Sequence, residues 1–200
     1  MTKKQCIKIF TLCLLLGSSV CYSDTFYNKN NCFLFVSLGM PINTLSLYLK
    51  EANQYHIPVL IRGLYTNKSE VNADKKIGSF DDTANRIFKV LKNENGNKDL
   101  SNLKKSMGGV LINPLLFRSF GINVVPALVV TSNPSSCAAQ NHTKTKETVC
   151  KSNDFDVVYG NIPIYKQLKI ISEKSSDIKR AKIASSILNK YSNEEYSKNE

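Results

Sequence analysis

The 200-residue chain carries 27 lysines and arginines against 16 acids, a formal excess of +11, and 42% of its residues are hydrophobic. The basic residues are dispersed among acids and asparagines instead of forming a stripe interleaved with aromatics, which argues against direct nucleic-acid binding. Beyond the opening segment no apolar run is long enough to span a membrane, and the length suits one domain.

The opening MTKKQCIK carries three lysines and no acid, then runs into IFTLCLLLGSSV, which is short for a permanent anchor. Small residues at Cys21 and Ser23 suit a signal peptidase, so a cleavable signal peptide is expected over residues 1–23. Export would leave the mature chain in the periplasm, starting near Asp24. Lipidation at Cys21 would want Gly or Ala where Val20 stands. Lys3, Lys4 and Lys8 leave with the signal, so the mature chain is less basic than the whole.

Three cysteines then remain: Cys32, Cys137 and Cys150. Cys137 and Cys150 bracket a short polar loop that an oxidising compartment would let them close as a disulfide, although spacing leaves Cys32 open as a partner for either. In the loop-entropy view the closure stabilises by about 3 kcal/mol. Cys137, His142 and Cys150 lack a fourth ligand for a structural zinc site, and no cofactor or metal is expected.

In chain order, residues 33–38 (FLFVSL) form a near-continuous apolar run, as in a strand buried on both faces. Pro41 suits the first turn of a helix in which Ile42, Leu45, Leu49 and Ala52 recur at helical spacing, with Tyr48 and Tyr55 alongside, ending near His56. IPVLIRG reads as a second strand, and a strand–helix–strand crossover implies a parallel pair. Ser79 can cap a helix carrying Ala84, Ile87, Phe88 and Leu91. The asparagine- and lysine-rich stretch around 93–106 reads as a connection, closed by Gly108-Gly109.

VLI at 110–112 is a brief strand, and Asn113-Pro114 starts a short helix with Leu115, Leu116, Phe117 and Phe120, stopped by Gly121. In GINVVPALVVT a proline with no N–H to donate opens a β-branched strand, and its peptide bond is a candidate for cis. DFDVVYGN is expected antiparallel to that strand. Pro163 then opens a helix with Ile164, Leu168 and Ile171 on one face. A last helix over 177–191 carries Ile178, Ala181, Ala184, Ile187, Leu188 and Tyr191 before a polar, frayed tail.

This order, with Gly121-Ile122-Asn123-Val124-Val125-Pro126-Ala127 before the closing hairpin, resembles the thioredoxin fold and its cis-proline segment. The implied architecture is α/β: a three-layer sandwich with a mixed sheet of about four strands and flanking helices, over 24–175, followed by a C-terminal helix and tail over 176–200. Where thioredoxins carry a CxxC pair, this chain reads Ser37-Leu38-Gly39-Met40-Pro41, so the reactive thiol is missing. More specifically, FVSLGMP, PVLIRGL, GGVLINPLLFRSFGINVVPALVV and the closing FDVVYGNI resemble the TrbC family of conjugative pilus assembly proteins from F-type type IV secretion systems. The resemblance runs from about Phe33 to Leu168, and the stretch at 93–106 departs from it.

The resemblance implies a non-enzymatic accessory protein of pilus assembly and DNA transfer, whose partners are other envelope components of the secretion apparatus. The expected docking face is Met40, Pro41, Arg62, Gly63 and Pro126, since a strand end can pair with an extended segment without a thiol. Arg62, at the end of a strand, is suited to a partner carboxylate, to an internal pairing with an aspartate, or to capping a helix C-terminus. The alternative is a thiol-disulfide oxidoreductase or isomerase using Cys32 or Cys137 and Cys150. Cys32 precedes its strand, away from the helix N-terminus that would activate it.

Overall fold

The computed structural model describes residues 30–66, 78–95, 110–134, 150–151 and 153–196. Among them, β1 (Cys32–Val36) leads to α1 (Ile42–Gln54), β2 (Val59–Ile61), α2 (Phe80–Asn95) and β3 (Val110–Ile112). The chain continues through α3 (Pro114–Ser119), β4 (Ala127–Thr131), β5 (Phe155–Tyr159), α4 (Ile164–Lys174) and α5 (Ile178–Tyr196).

The strands form one mixed sheet in the order β3-β2-β1-β4-β5. β1 pairs parallel with β2, with Phe35 opposite Leu60, and antiparallel with β4, with Leu34 opposite Leu128. The sheet therefore has five strands where about four were expected. Val110–Ile112 carries three consecutive apolar residues and joins β2 in parallel register as one edge, while β5 forms the other in a hairpin with β4.

β1 shows why the apolar run had no polar alternation. Leu34 and Val36 point to one face, among Leu45, Leu49, Val90, Leu168 and Ala184, so helices α1, α2, α4 and α5 all cover that side. Phe33 and Phe35 point to the other, among Leu116, Phe117, Phe120 and Ile122 around α3. There Phe35 meets the Phe117 ring edge-on at 4.8 Å, and Phe120 meets Phe155 at 4.9 Å. Burial of each such side chain stabilises by about 1.5–3 kcal/mol as an upper figure.

The local signals for helix ends hold. The Asn113 side chain accepts from the Leu116 N–H at 2.9 Å with Pro114 beside it, and Ser79 Oγ accepts from the Asp82 N–H at 3.0 Å. Gly121 lies at φ +63°, the left-handed conformation that ends α3, and His56 takes a similar one just beyond α1. The Val125–Pro126 bond is cis.

Other expectations need correction. Ala84 and Phe88 do not pack inward; Phe88 is 56% exposed, because the inward face of α2 is set by Thr83, Ile87, Val90 and Leu91. Leu115 and Ile178 are also exposed. The last helix runs on to Tyr196, since no glycine or proline interrupts it.

Two buried polar contacts lock the helical face to the sheet. Tyr48 donates to the carbonyls of Gly160 and Ile162, at 3.1 and 2.9 Å. Arg180, 3% exposed, reaches Asp156 at 2.8 Å and the Asn153 carbonyl at 2.6 Å, tying α5 to the β5 hairpin.

Candidate functional site

Parallel strands in an α/β sheet leave a crevice beyond their carboxyl ends, the usual place for a ligand in such sheets. Beyond β1 and β2 lies a cleft of about 530 Å³, walled by Ser37, Leu38 and Gly39, by Arg62 to Thr66, and by Phe117, Asn123 and Val125. It is an open groove in which polar groups alternate with apolar ones. Among the described residues neither a cysteine nor an acid lines it.

Arg62 is exposed, but its head is not free to wander. The guanidinium donates to the Ile122 carbonyl and sits over the Phe117 ring, 5.1 Å from its centroid. It neither pairs with an aspartate nor caps a helix carbonyl as the simplest internal roles would have it. Among the described residues no carboxylate lies within ion-pair distance of Arg62.

The turn after β1 is built by a helix that the sequence gives no reason to connect with it. Arg86, on α2, donates from Nε to the Leu38 carbonyl at 3.0 Å and from a terminal nitrogen to the Met40 carbonyl at 2.8 Å. Its guanidinium also lies over the Tyr65 ring, 5.5 Å from the centroid. Three residues earlier on the same inward stripe, Thr83 accepts from the Tyr65 N–H at 2.8 Å and donates to the Ser79 carbonyl at 2.6 Å. Gly78 completes this junction, because a Cβ there would stand 2.6 Å from the Leu64 carbonyl oxygen. Ser79, Thr83 and Arg86, spaced as one helix face, thus hold both the Tyr65 wall and the Ser37–Pro41 turn.

Of the residues singled out from the sequence, Arg62 and Gly63 line the cleft together. Met40 is half-buried, packs against the helical core and offers its carbonyl to Arg86; Pro41 is exposed and precedes α1. Both stand just outside the cleft wall. Pro126 is buried, its carbonyl accepting from the Gly160 N–H at 3.2 Å, so Val125 is the residue of that segment that meets the cleft. Arg86, Tyr65 and Thr83 were not anticipated. The one sequence signal was polar Thr83 and Arg86 falling on the inward side of an amphipathic helix.

Cys32 is the first residue of β1, at the end of the strand remote from the cleft. It is free and 4% exposed, and burial pushes its thiol well above the ordinary range, a backbone hydrogen bond at Phe33 offsetting only part. Such a thiol is a poor nucleophile. Cys137, His142 and the stretch at 96–106 lie outside the described residues, and Cys150 is buried against the α3 face.

No helix among the described residues is long and apolar enough to cross a membrane. No solved structure matches the chain. A relative named periplasmic protein TrbC, from Escherichia coli strain K12, is 28% identical over 144 residues, covering 72% of this chain and 49% of the relative. The chain therefore spans about half the length of that relative. The sequence profile of the family described as type-F conjugative transfer system pilin assembly protein matches residues 34–171, from the first core strand to the end of the α4 face. On that match, which takes in the sheet from Leu34 onward and the whole cleft, the chain belongs to the TrbC family of type-F pilin assembly proteins.

Proposed function

We propose that this protein is a periplasmic, non-catalytic docking module of an F-type conjugative apparatus, binding other envelope components during pilus assembly. In this reading the signal peptide is removed after Ser23, Cys137 and Cys150 close a structural disulfide, and the domain is a thioredoxin-like scaffold without its redox pair. The docking face is the cleft and its rim: Met40, Pro41, Arg62, Gly63 and the segment entering Pro126. The observation that carries it is an open polar and apolar groove at the carboxyl ends of β1 and β2 with no thiol among the described residues of its wall. The rival oxidoreductase reading is weakened by Cys32, which is desolvated and at the far end of its strand.

The test fills the groove without disturbing the fold. Nothing lies within 4 Å of a Cβ built on Gly63, so Gly63→Phe places a ring in open space. The variant should melt like the parent, lose co-purifying apparatus components, and fail to restore DNA transfer to a strain lacking the native protein. A folded Gly63→Phe protein that restores full transfer and keeps its partners would remove the cleft from the docking face.

A further inference from the structure

The cleft has a charge character that its shape alone does not require. Among the described residues Arg62 is the one cation in its wall, no aspartate or glutamate lines it, and neither Arg62 nor the neighbouring Arg86 has a carboxylate within ion-pair distance. Both guanidiniums are instead steadied by carbonyls and aromatic faces: Arg62 by Ile122 and Phe117, Arg86 by Leu38, Met40 and Tyr65. Carbonyl dipoles and ring faces orient a guanidinium without cancelling its charge, so the cleft keeps a net positive field.

The two arginines differ in what they have left to give. Arg86 has spent its Nε and one terminal nitrogen on the turn. Arg62 has spent one terminal nitrogen only, on Ile122, and it is exposed, so the rest of its planar fork is open to an acceptor. Because that bond and the Phe117 ring already hold the head, less rotamer entropy is lost when a carboxylate arrives.

A second feature separates a peptide from a free anion. Lining the same groove as Arg62, Val125 makes no backbone hydrogen bond within the described residues, although β4 begins two residues later. Its neighbour Val124 is 65% exposed. An extended backbone can pair with such a segment while a side chain reaches over to the arginine.

Building on the docking reading above, we infer that the occupant of the cleft is an extended peptide segment bearing a carboxylate, received by Arg62 while its backbone runs beside Asn123–Val125. Arg86 acts as a positioning residue for the wall and does not contact the segment. Specificity then rests on a planar, two-pronged donor, which favours Asp, Glu or a chain terminus over a neutral amide.

The experiment titrates the ¹⁵N-labelled protein with two short blocked peptides of valine and alanine, identical except for a central aspartate in one and asparagine in the other. The aspartate peptide should bind about tenfold more tightly, shifting the Arg62 side-chain signal and the amides of Gly63 and Val125. That preference should weaken with added salt and vanish in Arg62→Gln, while Arg62→Lys keeps part of it. Equal binding of both peptides, blocked by Gly63→Phe, would overturn the carboxylate inference and leave the docking reading standing. Binding of neither peptide, or displacement of the aspartate peptide by inorganic phosphate of equal affinity, would also overturn it. The docking reading itself falls only on the transfer and co-purification results with Gly63→Phe.

Discussion

Replacing Arg86 with methionine keeps most of the side-chain volume and removes two donors, and so tests whether α2 builds the wall of the cleft. The lost contacts are those to the Leu38 and Met40 carbonyls, at 3.0 and 2.8 Å, with the Tyr65 ring contact beside them. Hydrogen bonds from a charged donor contribute about 1.5–3 kcal/mol each when fully shielded. Arg86 is only half-buried, so water can take over part of each contact, and the expected loss is about 2 kcal/mol for the whole group. Denaturant unfolding reads that loss as a lower midpoint at unchanged slope. The local consequence is sharper, because the Met40 N–H donates to the Ser37 carbonyl at 3.1 Å within the same turn. Its exchange with solvent should accelerate about tenfold or more beyond what global unfolding explains. Arg86→Lys should fall between, since one ammonium cannot serve two carbonyls in fork geometry. Lys89→Met, on the exposed side of the same helix, sets the baseline at within about 0.5 kcal/mol of the parent. If Arg86→Met matches that baseline in both midpoint and Met40 exchange, α2 does not hold the turn and the reasoning fails.

Two further predictions concern the frame that carries the site. Arg180→Met should lower stability by about 3 kcal/mol in denaturant unfolding, since it leaves Asp156, whose side chain is 23% exposed, without its cation and with only the Ser175 hydroxyl; a loss below about 1 kcal/mol would mean α5 docks without that pair. Burial, then the nearby Glu51 charge, raise the Tyr48 hydroxyl above its ordinary value of 10.0, so the folded protein holds that proton after the unfolded chain has released it. The Tyr48 contribution is therefore complete below pH 10 and is lost as pH rises through the folded value, and Tyr48→Phe should flatten that alkaline decline in thermal melts; an unchanged alkaline slope would contradict it.

What could be read from the sequence was local. Asn113-Pro114, Ser79 and Gly121 act through hydrogen bonds or backbone conformations within a few residues, and all three end or begin helices where expected. β1 was legible for a different reason: a strand covered on both faces has no polar positions, so its lack of alternation announces its place at the centre of the sheet. The cleft was legible only in outline. Arg62 and Gly63 follow a strand end and fall where the sheet leaves a crevice, but Arg86 bonds partners 48 and 46 residues away, and helical periodicity carries no trace of such a contact. The same limit explains Phe88, whose spacing fits an inward stripe while the neighbouring Thr83 and Arg86 rotate that face toward the turn. Val110–Ile112 was legible as a brief strand, but its place beside β2 was not, since the long polar stretch before it carries no sign of which strand it joins.

The geometry of β1 bears most directly on what kind of chemistry this face can support. Cys32 opens the strand and Val36 closes it, with the cleft beyond Val36. At about 3.3 Å per residue the thiol stands roughly 13 Å from the groove, more than a side chain can reach, and it points into the helical core. The described wall of the groove offers carbonyls, hydroxyls, a ring and a guanidinium, groups suited to hydrogen bonding and ion pairing. To turn such a face into a redox centre, a thiol would have to stand at Ser37 or Gly39, in the turn that Arg86 holds, where a helix follows at once and a guanidinium lies within reach. Gly39→Cys accordingly asks the scaffold a clean question, since the nearest atom to a Cβ there is the Ser37 hydroxyl at 3.5 Å. If that thiol ionises readily while Cys32 stays inert to alkylation in the folded protein, the scaffold provides the electrostatic setting of a reactive cysteine at a turn where the native chain carries glycine.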